Sequence, residues 1–165
     1  MFSPLSLGTH QSFPVFLPQT PVLFSGTLLT LRDGTLRTLF SEKEGKSDFL
    51  RGAVIYFCGP TPPPLGKPIG SCGPTTSSRM EPFFPNLISA GVHGILGKGE
   101  ISTASSKLLA EHNIPYFGVV GGIGAFLAEC VESAHILALP ELGAEAVWEL
   151  TVKNFPAIAL PYHCE

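Results

Sequence analysis

Between Ser71 and Pro82 the chain reads "SCGPTTSSRMEP", with four consecutive hydroxyl residues, Thr75 to Ser78, followed by Arg79. Ser78-Arg79-Met80-Glu81 fits a capping box, in which a serine and a glutamate three residues on satisfy each other's free backbone donors. One hydroxyl suffices for a cap, so Thr75, Thr76 and Ser77 are surplus. They stand before an expected helix start, where free N–H groups and the helix dipole favour an anion. Arg79 adds a planar fork suited to a carboxylate. A carboxylate site therefore accounts for more of these residues than a cap alone.

Two further cations invite the same chemistry, each with a plain alternative. Lys98 lies between Gly97 and Gly99, so backbone can approach a ligand closely there, although a solvated turn lysine has the same pattern. Arg32-Asp33-Gly34 sits at the end of an expected strand and reads equally as a local ion pair at a turn. "GGIG" at 121 to 124 lacks the G-x-G-x-x-G spacing of a dinucleotide loop, which leaves close helix–strand packing as its meaning. His10, His93, His112, His135 and His163 have no ligand spacing. Cys58, Cys72, Cys130 and Cys164 lie far apart without a close pair, so this chain alone is not expected to hold a metal cluster, and reduced thiols are the default.

The elements that must position these residues alternate. Residues 1 to 21 carry Pro4, Pro14, Pro18 and Pro21 and read as an extended arm; 22 to 165 read as one domain. "VLFSGTLLTL" from Val22 is a strand, "RDGTLRTLF" a turn into a helix, and "GAVIYFC" at 52 to 58 a buried strand before the rigid loop "GPTPPPLGKPIG". "MEPFFPNLISAG" reads as a helix ended by Gly91, "VHGILGKGE" as a short strand and "STASSKLLAEHN" as a capped helix. "IPYFGVV", "GGIGAFLAECV" and "AHILALP" give strand, turn with helix, and strand. "LGAEAVWELTVKNFPAIAL" gives a turn or short helix and two strands. The alternation predicts an α/β fold with a mixed sheet and packed helices.

Composition narrows the partners. Charged residues are 14% of the chain and apolar residues 44%, with mean hydropathy +0.30, yet no apolar run reaches the roughly 20 residues of a membrane span. The expectation is a subunit with a protein partner, with no membrane and a cytoplasmic location, since no targeting segment is recognisable. Net charge of −3 with scattered basic residues speaks against nucleic acid.

Taken in order, "GTLLTLRD", "GAVIYFCGPTP", "IGSCGPTTSSRM", "GILGKG", "VVGGIGAFLA" and "ELGAEAVWELTVKNFPAI" resemble the C-terminal domain, or separate β subunit, of class I iron–sulfur fumarate hydratases, with L-tartrate dehydratase β subunits as relatives. The resemblance covers about residues 22 to 160 and implies a swivelling β/β/α domain. It implies a fumarase of the tricarboxylic acid cycle type, which adds water reversibly to fumarate to give (S)-malate. A 4Fe-4S cluster would be held by a partner α subunit, in a homo-oligomer or heterotetramer. By matching motif, Arg32, Arg79 and Lys98 would hold substrate carboxylates, Thr75 would be the base, and Thr76 and Ser77 would support the site.

The sequence departs from that family at three places. Relatives commonly follow Arg-Asp with two small residues and a histidine, where this chain has Leu36. Glu81 follows Arg79-Met80 where fumarases often carry Asp and tartrate dehydratases Glu. The end reads "LPYHCE" where relatives often have Asp-x-x-Gly-Asn-Asn. Tartrate or a related hydroxydicarboxylate is thus an alternative substrate, and a non-catalytic scaffold that keeps the anion pocket is another reading.

Overall fold

A computed structural model describes residues 3–7, 17, 19–41 and 48–161. Its strands are β1 (Ser3–Leu7), β2 (Pro21–Leu31), β3 (Val54–Phe57), β4 (Gly94–Gly97), β5 (Tyr116–Gly118), β6 (Val131–Ala138) and β7 (Val147–Ala159). β2, β3, β4 and β5 are parallel neighbours, and β7 runs antiparallel to both β5 and β2. Those five strands therefore close into a small mixed barrel. β1 lies parallel on β2, and β6 antiparallel on β7.

The mixed sheet with packed helices is as the sequence predicts; the closure is not in that expectation. It follows from β7, expected as two strands and found as one of thirteen residues. One edge of this strand meets β6 from Val147 to Val152 and then β5 at Ile158 and Ala159, while the other runs along β2. A bend at Asn154, where φ is 54°, lets the strand turn without ending. Its N–H there donates to Ser25 Oγ at 3.1 Å, beside the register shift of β2, so the bent strand keeps a backbone donor satisfied.

Alternation along the strands divides the apolar residues into two cores. Phe24, Val54, Tyr56, Leu96, Phe117, Leu150 and Phe155 point inward. Phe24 meets Phe117 at 4.8 Å and Tyr56 meets Phe155 at 5.2 Å, edge to face, and each pair joins strands that are not neighbours. Such contacts span a barrel interior. Leu31, Ile55, Phe57, Ile95 and Tyr116 point outward to a second core shared with α1 (Asp33–Ser41), α2 (Phe84–Ser89) and α3 (Thr103–Glu111). Ile69, Cys72 and Leu127 of α4 (Gly124–Glu129) join the inner core and cover it.

Of the expected arm, residues 3–7 form β1 and Pro21 begins β2; residues 1, 2, 8–16 and 18 lie outside the described residues. Among the described residues no helix is long and apolar enough to cross a membrane.

Candidate anion site at the ends of the parallel strands

Parallel strands all end on one side, and here the candidate residues follow those ends. Arg32 comes directly after β2, Cys58 after β3, Lys98 after β4 and Val119 after β5. In open parallel sheets, ligands bind where the chain leaves the carboxyl ends of strands. The hydroxyl segment crosses this edge. Pro74 bridges Cys58, the Thr75 N–H donates to the Phe57 carbonyl at 2.6 Å, and Thr76 bridges Lys98. The Lys98 N–H donates to the Thr75 carbonyl at 3.3 Å, and the Ser77 N–H to the Lys98 carbonyl at 3.0 Å. Thr75, Thr76, Ser77 and Lys98 are thus backbone neighbours although more than twenty positions separate the two stretches.

Arg32 and Arg79 meet through Asp33. The Asp33 carboxylate lies 3.0 Å from the Arg79 fork and 4.0 Å from that of Arg32. Glu145, which the sequence reading missed, lies 3.4 Å from Arg32 and accepts the Gly34 N–H at 2.6 Å. Its carbonyl accepts the Thr35 hydroxyl. Nothing local marks Glu145 in sequence, because it arrives from 111 positions away in the 3-10 stretch Pro140–Glu145. Gly34 is small for a reason: a Cβ there would stand 2.5 Å from the Glu145 Oε2. Arg32 Nε is buried without a hydrogen-bond partner, a donor that a bound acceptor could satisfy.

The structure corrects the capping box. The Ser78 hydroxyl caps nothing; residues 77–79 and 81–83 are 3-10 turns without side-chain caps, and α2 begins only at Phe84. The run of Pro82 and Pro85 removes backbone donors and holds the early turns tight. Glu81 instead crosses to α3, accepting the Ser102 N–H at 3.2 Å and the Ser105 hydroxyl at 2.6 Å, with the Ser102 hydroxyl also donating to it. Ser102 is the N-cap of α3, as expected for that helix. Of the glycines at 121 to 124, Gly121 and Gly124 pack close, but against the site rather than between helix and strand, while Gly122 serves a positive φ of 82° in open space. A Cβ at Gly121 would meet Lys98 Cδ at 2.9 Å, and one at Gly124 would meet the Gly73 N at 2.7 Å.

The hydroxyls divide by burial. Thr75 is half-buried and Thr76 exposed, whereas Ser77 is fully buried. Leu36 is also fully buried, packed in the outer core, so that position of α1 faces apolar side chains. Val120, next to the Gly121 that packs on Lys98, and Phe126 of α4 are exposed apolar side chains.

Among the described residues no three His, Cys, Asp or Glu side chains come together as metal ligands. Cys58 and Cys72 lie in the barrel interior; burial holds the Cys58 thiol well above its ordinary pKa and pushes Cys72 up to about 12. A thiol must ionise to bind metal, so these two are poor ligands. Cys164 lies outside the described residues.

Arg32, Arg79, Lys98 and the hydroxyls gather at the strand ends of a small mixed barrel, a donor set whose chemistry suits an anion. The family model for the fumarase C-terminus matches residues 7–160, and the chain belongs to that family. It is 36% identical over 143 residues to fumarate hydratase 2 of Leishmania major, covering 84% of this chain and 25% of that protein. It is 35% identical over 159 residues to the anaerobic class I fumarate hydratase of Escherichia coli K12, covering 93% and 28%. The putative L(+)-tartrate dehydratase subunit beta of Methanocaldococcus jannaschii is 33% identical over 147 residues, covering 81% and 73%. The chain thus spans about a quarter of the length of these two fumarate hydratases.

Proposed function

We propose that the chain is the β subunit of a fumarate hydratase-type hydro-lyase, interconverting fumarate and (S)-malate together with an α-type subunit. The observation that supports this reading is that Arg32 and Lys98 follow the ends of parallel strands, with Thr75 bonded to Lys98 through the backbone and Arg79 joined to Arg32 through Asp33. Arg32, Arg79 and Lys98 hold the two substrate carboxylates. Thr75 takes the proton from the carbon beside one of them in dehydration and returns it in hydration, with Thr76 and Ser77 in support. In dehydration the C–H electron pair becomes the second bond of the alkene as the hydroxyl leaves the adjacent carbon. A 4Fe-4S cluster on the α subunit, when bound, supplies the Lewis acid for that hydroxyl.

A threonine hydroxyl has a natural pKa far above the pH at which it must act, so its ionised form needs stabilising charge. Arg79 and Lys98 supply it, and closure by a partner over the exposed Val120 and Phe126 would remove water and strengthen each interaction. Asp33 and Glu145 neutralise part of the cationic charge, so a dicarboxylate competes with Asp33 for the Arg79 fork. The similarity to the tartrate dehydratase subunit favours a second reading, in which the substrate is tartrate or a related hydroxydicarboxylate.

The test is anaerobic co-expression with an α-type subunit, following fumarate's ultraviolet band with malate and fumarate, and the formation of oxaloacetate with tartrate. Turnover of malate that falls about 10²- to 10⁴-fold in kcat in Thr75→Ala is the expected result, the usual reach of general acid–base catalysis. Turnover of tartrate alone would select the second reading, and dicarboxylate binding without turnover by a cluster-loaded complex would make this chain a scaffold.

A further inference from the structure

The outward face of β5 carries Tyr116, almost wholly buried beneath the site. Its hydroxyl lies 2.8 Å from Ser77 Oγ and 2.7 Å from the Gly99 carbonyl. A phenol has one proton and a carbonyl can only accept, so both bonds form when Tyr116 donates to Gly99 and Ser77 donates to the phenol oxygen. The Ser77 hydroxyl fits there because position 97 is glycine; a Cβ would occupy the same space, with Phe57 at 3.1 Å on another side. One phenol thus ties the residue after Lys98 to the residue two past Thr75.

Backbone bonds complete the tie. Ser77 donates to the Lys98 carbonyl, and Lys98 to the Thr75 carbonyl. Any slack between the two loops would therefore appear as movement of the Thr75 hydroxyl relative to the Lys98 ammonium. We propose that Tyr116 is a positioning residue of this site, acting through Ser77 and Gly99 to fix the distance between Thr75 and Lys98. It touches no substrate. The assignment rests on the hydro-lyase reading for its kinetic consequence, though not for the coupling of the loops.

Tyr116→Phe is the fitting variant, since it removes one oxygen and keeps the ring in the outer core. Hydrogen exchange on the full chain reads the coupling without activity. Amides of 75–77 and 97–99 are expected to exchange at least ten-fold faster in the variant, with β7 and α3 unchanged. In the α-containing complex, kcat is expected to fall about ten- to a hundred-fold, the scale of an ångström's misplacement, with KM changing less than three-fold. Ser77→Ala should add little to Tyr116→Phe, because each removes the same link. Uniformly faster exchange across the chain, or a lowered melting temperature with kcat intact, would overturn the proposal. If the wild-type complex turns over no substrate, the hydro-lyase reading fails, and the exchange pattern alone decides whether Tyr116 couples the loops.

Discussion

The site has two halves, built on different physics. Arg32, Asp33, Arg79 and Glu145 form an ionic half whose side chains are between 18% and 52% exposed. Thr75, Ser77, Lys98 and Tyr116 form the other half, joined by backbone bonds and by two neutral hydroxyls that are almost wholly buried. Partly exposed ion pairs contribute little net stability, commonly below about 1 kcal/mol, and salt screens them. A buried hydroxyl left without its partner costs about 1–3 kcal/mol. The ionic half is therefore the adjustable one, in which, on the proposed function, a substrate carboxylate would replace Asp33, while the hydroxyl-tied half sets the frame that holds Thr75 beside Lys98.

Three stability measurements would break or sharpen that contrast. The largest effect belongs to Gly97→Ala, whose Cβ would take the space of the Ser77 hydroxyl between Phe57 and Tyr116. Overpacking of this kind costs about 1–3 kcal/mol, and the loss should sit at the top of that range in urea unfolding. A cost below about 0.5 kcal/mol would mean that the hydroxyl-tied half is soft.

Next in size is a pH effect. Burial pushes Tyr116 up to about 12 in the folded chain, against an ordinary value near 10. A raised folded value means the contribution is complete below pH 10 and is lost as pH rises towards 12, because the unfolded chain gives up its proton first. At pH 11 the loss amounts to roughly 1.4 kcal/mol, one unit's worth. Burial also raises Tyr56, so the quantity to measure is the difference between wild type and Tyr116→Phe over pH 9 to 11. Parallel curves would place the Tyr116 phenol in water.

The smallest effect is expected at Gly34→Ala. Its Cβ meets the Glu145 Oε2 at 2.5 Å, but that oxygen ends a flexible, partly exposed side chain that can swing aside. The lost bond and ion pair are offset by alanine's better helix propensity, worth about 1 kcal/mol over glycine. Stability should change by less than about 1 kcal/mol, whereas the salt dependence of dicarboxylate binding should alter. A large loss of stability would show that Glu145 is part of the frame.

Much of this was legible beforehand where local pattern is enough. Short apolar runs bounded by turn residues marked β2, β3 and β5, and Ser102 announced α3 through its own hydroxyl. The residue types of an anion site were visible in Thr75, Arg79, Lys98 and Arg32. Glu81 shows where pattern misleads: it stood three residues from Ser78, as a capping box requires, yet it bonds Ser102 and Ser105, which no local spacing encodes. Two strands read in the last segment proved one, because Asn154 bends β7 without breaking its pairing to β2.

The sequence by itself determined most of the elements, the family and the chemistry available, since periodicity, turn residues and motif spacing are properties of neighbours along the chain. Only the tertiary structure decided that the sheet closes through β7 and that the parallel strands present their ends together. It also decided that Glu145 reaches Arg32 from 113 residues away and that Tyr116 ties Ser77 to the loop after Lys98. Those contacts join residues whose separation is set by the packing of side chains around two cores, and the order of letters alone does not carry that distance.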